Sequence, residues 1–232
     1  MLNSLLELTA RSADKGVITE DDEPLDSPFQ ERQQALLTDS LYASWKGRSK
    51  FISLRNVGVF GSLRHQNAVV VPDVLLTLDV DLMPVTESRA YFVWDYGKPP
   101  DLVIEIVSKE PGGEESTKLE KYAALGVPYY VIYNPFGFRG ERLLKCFQRH
   151  GMGYLDIANP YLIPELGLGL TTWEGSYQGC HGKFLRFLDD QGNLLLTADE
   201  RAEQEHQRAE QEHQRAEKLA QKLRDLGLDP DT

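Results

Sequence analysis

Apolar residues in the middle of the chain form short runs that are separated by turn-forming residues. The runs 69–76 and 102–107 are rich in Val, Leu and Ile and are bounded by Pro, Asp or Gly, which predicts strands buried on both faces. The apolar spacing further predicts a helix over 29–45 and strands over 51–60, 68–78 and 129–133.

A second, short helix is predicted between the strands 102–107 and 129–133, after the Gly112-Gly113 pair. A strand-helix-strand step of this kind joins two parallel strands. The segments 143–149 and 154–157 flank a Gly-Met-Gly turn and predict an antiparallel hairpin. The expected fold class is therefore α/β, with a mixed sheet flanked by helices.

The two ends of the chain differ from this central domain, which we place at 29–190. Residues 1–28 are acidic and rich in turn formers, which predicts a mobile leader. The sequence RAEQEHQ occurs at 201–207 and again at 208–214, which predicts a heptad-repeat C-terminal helix over 198–228. Ala, Glu and His occupy the a and d positions of the first heptads, where a coiled coil needs apolar residues. A solvated helix or a loose self-association contact is therefore expected rather than a stable coiled coil. Removing 198–232 should then leave the melting temperature of the core nearly unchanged.

Two acids interrupt the apolar runs: Asp73 in the first and Glu105 in the second. A buried ionised carboxylate is costly unless it is paired or binds a cation. One shared divalent cation would satisfy both acids, because Mg²⁺ is usually held by one or two carboxylates with water and phosphate at the other positions. Asp73 and Glu105 are thus candidate metal ligands.

A lysine on the following helix would complete a phosphodiester-cleaving site, and two lysines compete for that role. Leu119, Tyr122, Ala123 and Gly126 have the spacing of one packed helix face. Lys118 lies roughly 90° from the centre of that face and Lys121 about 150° from it. We therefore expect Lys118 to reach the sheet and Lys121 to face solvent, with Lys109 as a further candidate.

Each candidate also has a purely structural interpretation. Asp73 could shape a strand entry after Pro72, and Lys118 could be a solvated helix residue. Glu105 could be the ion-pair partner of Arg55 or Arg142.

The net charge is −11, of which residues 1–32 contribute −5 and residues 198–232 contribute −4. The acidic chain as a whole argues against a strong general polyanion binder. The remainder is close to neutral, however, so DNA binding would depend on local basic groups. Two such groups follow the first helix and the turn after 129–133: Lys46, Arg48, Lys50 and Arg55, and Arg139, Arg142 and Lys145. Ordinary hairpin-edge charge is the favoured explanation of both groups, which are candidates only.

No apolar run approaches the roughly 18 residues of a membrane span, and the first residues lack the basic start of a signal peptide. We therefore expect a cytoplasmic protein without a membrane partner.

Over about residues 30–188 the sequence resembles the Uma-two family, a branch of the PD-(D/E)xK restriction-endonuclease-like superfamily. The resemblance rests on Pro72-Asp73, on Glu105 in the following strand, and on the run LGVPYYVIYNP at 125–135. It implies a restriction-endonuclease-like fold, a Mg²⁺ or Mn²⁺ cofactor and DNA as substrate.

Carried over residue by residue, Asp73 and Glu105 correspond to the metal-binding acids of the family and Lys118 to its catalytic lysine. Val107 stands where the superfamily pattern has its lysine, a departure that the family shares. The resemblance also makes Glu31, on the first helix, a candidate for an additional metal ligand; an ordinary surface position is the alternative.

The function implied by the resemblance is a Mg²⁺-dependent endonuclease that hydrolyses DNA phosphodiester bonds. The alternative is a non-catalytic binding or regulatory module that keeps the same fold. Such a module would assemble through the C-terminal helix as a homo-oligomer, a dimer in the simplest case.

Overall fold

The structure is a computed structural model that describes residues 27–61, 69–81, 90–109, 112–158 and 161–225. The predicted leader lies outside the described residues except for its last two positions. Within the described ranges, no helix is both long and apolar enough to cross a membrane.

The described residues form four α-helices: α1 (Pro28–Ser44), α2 (Val93–Tyr96), α3 (Thr117–Leu125) and α4 (Ala198–Asp225). They also form twelve strands: β1 (Phe51–Arg55), β2 (Val59–Phe60), β3 (Val69–Val70), β4 (Val74–Leu78), β5 (Tyr91–Phe92), β6 (Leu102–Ile106), β7 (Tyr129–Tyr133), β8 (Leu144–His150), β9 (Gly153–Ile157), β10 (Tyr161–Ile163), β11 (Leu168–Tyr177) and β12 (Cys180–Leu188).

A mixed sheet organises the described part of the chain. Its strands follow the order β1-β4-β6-β7-β8-β9. β6 and β7 are parallel and are joined through α3, whereas the other neighbours are antiparallel. Two smaller sheets, β10-β11-β12 and β3-β2-β5, complete the strand arrangement. The expected α/β architecture with flanking helices and a C-terminal helix is confirmed.

Apolar side chains cover both faces of the mixed sheet. One face packs under α1 and the β10-β11-β12 sheet. The other face packs under α3 and the small β3-β2-β5 sheet, where Tyr122 and Tyr130 are fully buried. Every residue of β4, β6 and β7 is buried, which explains why these strands are apolar except for Thr77 and Glu105.

Helix α1 is held to the neighbouring sheet by a glutamine. The side-chain amide of Gln33 donates to the carbonyl of Leu185 at 3.0 Å, and its oxygen accepts from the backbone N–H of Leu185 at 2.8 Å. This pairing satisfies a buried polar side chain and fixes the rotation of α1. Gln30 lies three residues before Gln33, and Gln34 lies one residue after it. Both therefore face the edge of the mixed sheet.

Two predicted strands are interrupted. The segment 51–60 divides into β1 and β2 because Asn56 adopts a positive φ of 50°, which takes the chain from the mixed sheet to the smaller one. The segment 68–78 divides into β3 and β4 at Pro72-Asp73, since a proline has no N–H to give to a strand ladder. Asp73 therefore lies just before β4 and not within a continuous strand.

The expected solvated helix is found beyond the first turn of α4, whereas the first turn itself docks on the domain. Glu200 accepts hydrogen bonds from both terminal nitrogens of the buried Arg186, at 2.9 and 2.8 Å. Glu200 also accepts from the N–H of Thr197, whose hydroxyl accepts from the N–H of Glu200; this is a capping box. Arg201 donates to the carbonyl of Ala43 at 2.6 Å. Beyond this turn the helix has no buried residue.

Candidate functional site

The pairing of β4 with β6 brings the two predicted acids to the same edge of the mixed sheet. Val74 lies opposite Ile104 in this antiparallel pair, so Asp73, one residue earlier, lies beside Glu105. The backbone N–H of Ile106 donates to Oδ2 of Asp73 at 2.6 Å. The Asp73 carboxylate thus accepts the hydrogen bond that a backbone carbonyl would accept if the pairing of β4 with β6 continued.

Helix α1 fixes the other oxygen of Asp73. The side-chain amide of Gln34 donates to Oδ1 of Asp73 at 2.7 Å. The same amide exchanges hydrogen bonds with the side chain of Asn56, at 3.1 and 2.8 Å. Each oxygen of Asp73 therefore has a donor from a different element, which holds the carboxylate in one orientation.

Helix α3 provides both side chains that contact Glu105. The Nζ of Lys118 lies 2.8 Å from Oε2 of Glu105, and the hydroxyl of Tyr122 donates to Oε1 at 2.6 Å. Lys118 and Tyr122 are one turn apart on α3, so they face the same way. Glu105 is only 2% exposed, whereas the Lys118 side chain is 27% exposed and connects the site to solvent.

Burial has the largest effect on the pKa of Glu105. It raises the pKa of Glu105 to about 8, against the opposing attraction of Lys118 and with a further contribution from the charge of Asp73. Burial lowers the pKa of Lys118, but the attraction of Glu105 outweighs it and the net shift is upward. The Glu105–Lys118 pair therefore holds its protons more tightly than isolated side chains would.

The two lysines of α3 lie where the helical spacing places them. Lys118 contacts Glu105, whereas Lys121 is exposed. The arginines considered as alternative partners of Glu105 are paired elsewhere: Arg142 with Asp156, and Arg55 with Glu31.

Glu31, the weakest of the candidate ligands, is on the first turn of α1. Its side chain is 47% exposed and lies 4.0 Å from Arg55. Among the residues that the structure describes, no group of three or more His, Cys, Asp or Glu side chains is placed to hold a metal. Asp73 and Glu105 are thus the two acids that lie side by side at the site, and the charge of the buried Glu114 also raises the pKa of Lys118.

Sequence reasoning missed the side chains that orient these acids. Gln34 carries a detectable signal, because Gln30, Gln33 and Gln34 have the i, i+3, i+4 spacing of one helix face, and all three are buried. Tyr122 gave no such signal, since its apolar spacing predicted packing alone. Its hydroxyl becomes a donor to Glu105 only because α3 lies across β6.

The two basic groups expected to contact DNA are largely neutralised within the domain. In the first group Arg48, Lys50 and Arg55 pair with Asp79, Asp81 and Glu31. In the second, Arg142 pairs with Asp156 and Lys145 with Glu115. Among the described residues, Lys46 and Arg139 have no carboxylate partner, so most of this charge is ordinary strand-edge charge.

Comparison with known proteins identifies the family. No curated protein matches the chain. Among solved structures, the chain is similar to a protein from Anabaena variabilis ATCC 29413 that is described as a "putative nuclease belonging to DUF820". The likeness is distant: identity is 12%, the TM-score is 0.42, and the match covers 69% of this chain and 86% of that one. The sequence profile of Uma2, described as "Putative restriction endonuclease", matches residues 14–171. This span is more than half of the chain, and the protein therefore belongs to the Uma2 family.

Proposed function

We propose that the protein is a divalent-metal-dependent endonuclease that hydrolyses DNA phosphodiester bonds. The observation that carries the proposal is the meeting of Asp73, Glu105 and Lys118. Two carboxylates from adjoining strands and one ammonium from the following helix converge at one edge of the sheet. Family membership supports a nuclease in general; the metal, the substrate and the roles of these residues are our proposal.

The donor set fits a hard divalent cation. Asp73 and Glu105 offer carboxylate oxygens, which Mg²⁺ and Mn²⁺ prefer, and two carboxylates leave positions for water and a substrate phosphate. Burial raises the pKa of Glu105, and repulsion from Asp73 adds to that shift; this repulsion is the kind that a cation relieves. When bound, the metal supplies an activated water and neutralises charge on the phosphate. Asp73 and Glu105 would hold it, with Glu31 as a weaker third candidate.

The other residues of the site orient the two acids and stabilise charge on the substrate. Gln34 and the N–H of Ile106 hold the Asp73 carboxylate, and Tyr122 holds Glu105. The partly exposed ammonium of Lys118 can move from Glu105 to the substrate, where it would donate to the phosphate oxygen that gains negative charge. Because Glu105 keeps the pKa of Lys118 high, Lys118 acts as a cation and not as a base.

Cleavage of supercoiled plasmid tests the proposal. The wild-type protein should nick or linearise it with Mg²⁺ or Mn²⁺ and not with EDTA. Asp73→Asn and Glu105→Gln, which keep side-chain size and remove one charge each, should abolish the metal-dependent product. Equal cleavage by these variants, or cleavage that persists in EDTA, would contradict it.

A second candidate function is the non-catalytic binding or regulatory module. It is favoured by the long α4, which has no buried residue and therefore leaves a surface free for assembly. This candidate predicts no plasmid cleavage under any metal condition. It also predicts that removing residues 205–232 changes the oligomeric state, which size-exclusion chromatography with light scattering would measure.

A further inference from the structure

A groove lies beside the candidate site at the same edge of the mixed sheet. It is lined by residues from the start of α1, from the segment after β6 and from the turn after β7, among them Phe29, Gln30, Val107, Lys109, Phe136 and Phe138. The groove combines aromatic rings with a cationic side chain, and its residues have no role in the chemistry proposed above.

Two phenylalanines of the groove are exposed to solvent. Phe136 is 54% exposed and Phe138 is 42% exposed. Their ring centroids are 5.4 Å apart, and Phe136 also contacts Phe29 at 5.0 Å. The rings thus form a small aromatic surface, supported from behind by α1, that a flat apolar ligand can cover.

The positive charge at this groove is not neutralised by the described residues. Arg139 donates to the carbonyls of Phe138 and Lys109, at 3.1 and 3.3 Å, and has no carboxylate partner among them. Lys109 likewise has none. Arg142 and Lys145, a few residues further along, are both in ion pairs. The groove therefore complements a phosphate, whereas the neighbouring basic residues do not.

The groove is connected to the candidate site by hydrogen bonds. Gln30 donates to the carbonyl of Ile106 at 3.3 Å, and the N–H of Ile106 donates to Asp73. β6 lies between β4 and β7 in the sheet, so the turn after β7 is two strand spacings, about 10 Å, from Asp73. This distance is a nucleotide or two along a DNA strand.

We propose that Phe136 and Phe138 form a stacking site for an unpaired base of the DNA strand that the candidate site cleaves, with Arg139 and Lys109 contacting its phosphates. The inference rests on the proposed nuclease function for the position of the scissile bond. Every base has a face that can stack on an aromatic ring, but in a duplex these faces are covered by neighbouring bases. The protein therefore prefers single-stranded or locally unpaired DNA.

Binding of short oligonucleotides to the full-length protein in EDTA tests this inference without cleavage. The probe is a single strand that carries 2-aminopurine, whose fluorescence changes on stacking, and the comparison is the same strand in a duplex. Phe138→Ala should weaken single-strand binding roughly ten-fold and change duplex binding by less than about two-fold. Phe138→Tyr, which keeps a ring, should bind as the wild type does.

Met152→Ala is the matched control, because Met152 is an exposed apolar residue in the β8–β9 turn; it should change neither affinity. Arg139→Gln should weaken both forms of DNA and lower the salt dependence of binding. Wild-type affinity in Phe138→Ala, an equal loss on duplex, or no binding of single strands by the wild type would overturn the stacking site.

Plasmid cleavage is measured separately. Stacking without cleavage of either the plasmid or the single strand in Mg²⁺ or Mn²⁺ would refute the nuclease alone, and cleavage without a stacking defect in Phe138→Ala would refute the stacking site alone.

Discussion

The ammonium of Lys118 lies 2.8 Å from the carboxylate of Glu105, although 13 positions separate the two residues in the chain. Lys118 reaches Glu105 from α3, the helix that joins β6 to β7. Position 107, two residues after Glu105, is a buried valine. The charged partner of Glu105 therefore comes from α3 and not from the chain that continues β6.

The contact between Lys118 and Glu105 predicts that the two lysines of α3 differ in importance. Lys118→Ala should lower the cleavage rate by about 10²-fold or more, the scale of losing one donor to a developing oxyanion. Lys121→Ala should matter little because Lys121 is exposed. Both substitutions retain helix propensity, which circular dichroism can verify before rates are compared. Equal losses in the two variants would show that Lys118 has no special role.

The two acids predict a measurable metal affinity. Calorimetric titration with Mn²⁺ should give binding that is lost in the Asp73→Ala, Glu105→Ala double variant, because among the described residues no third His, Cys, Asp or Glu is placed to hold a metal with them. A control that also removes two carboxylates is Glu115→Ala with Asp156→Ala, since both acids are partners of surface cations. Undiminished binding in the first double variant would refute the ligand assignment.

The docked first turn of α4 predicts that two truncations behave differently. Removing 198–232 takes Glu200 away and leaves the buried Arg186 without its counter-charge. The free energy of unfolding should then fall by about 3 kcal/mol or more. Removing only 205–232 keeps Glu200 and Arg201, so stability should change little. Urea denaturation measures both. Equal stability of the two truncated proteins would mean that Arg186 finds another partner.

The Arg186–Glu200 pair also predicts a pH dependence of stability. Partial burial raises the pKa of Glu200, but the hydrogen bonds from Arg186 and Thr197 outweigh it, so the pKa lies below the ordinary 4.5. The contribution of a lowered carboxyl pKa is present above that ordinary value and is lost as the pH falls through the lower folded-state pKa. Glu200→Gln should therefore be less stable than the wild type at pH 7, with a smaller difference near pH 3.

The control for this titration is Glu203→Gln, because Glu203 is exposed on the same helix and bonds only to Gln207 in the described structure. Urea denaturation at the two pH values gives the comparison. A difference between Glu200→Gln and the wild type that stays constant with pH would show that ionisation of Glu200 does not stabilise the fold.

The sequence by itself determined the elements whose signal is local. Strand β7 begins and ends at the predicted residues, 129 and 133, because this short aromatic and β-branched run is bounded by Pro128 and by Asn134-Pro135. Helix α1 agrees within one residue at each end, since its apolar spacing is a local property of the chain. The positions of Lys118 and Lys121 followed from helical geometry alone.

Only the tertiary structure decided what these elements contact. The division of 51–60 into β1 and β2 depends on Asn56, whose positive φ is stabilised by its hydrogen bonds to Gln34 across the fold. Docking of α4 depends on Arg186, whose burial cannot be deduced from a polar heptad repeat. The same is true of Tyr122 as a donor to Glu105. In each case the two partners are distant in the chain. A buried polar group is costly when it has no hydrogen-bond partner, and this cost favours these pairings. The cost arises only after the domain has folded around the group, so the local sequence does not reveal it.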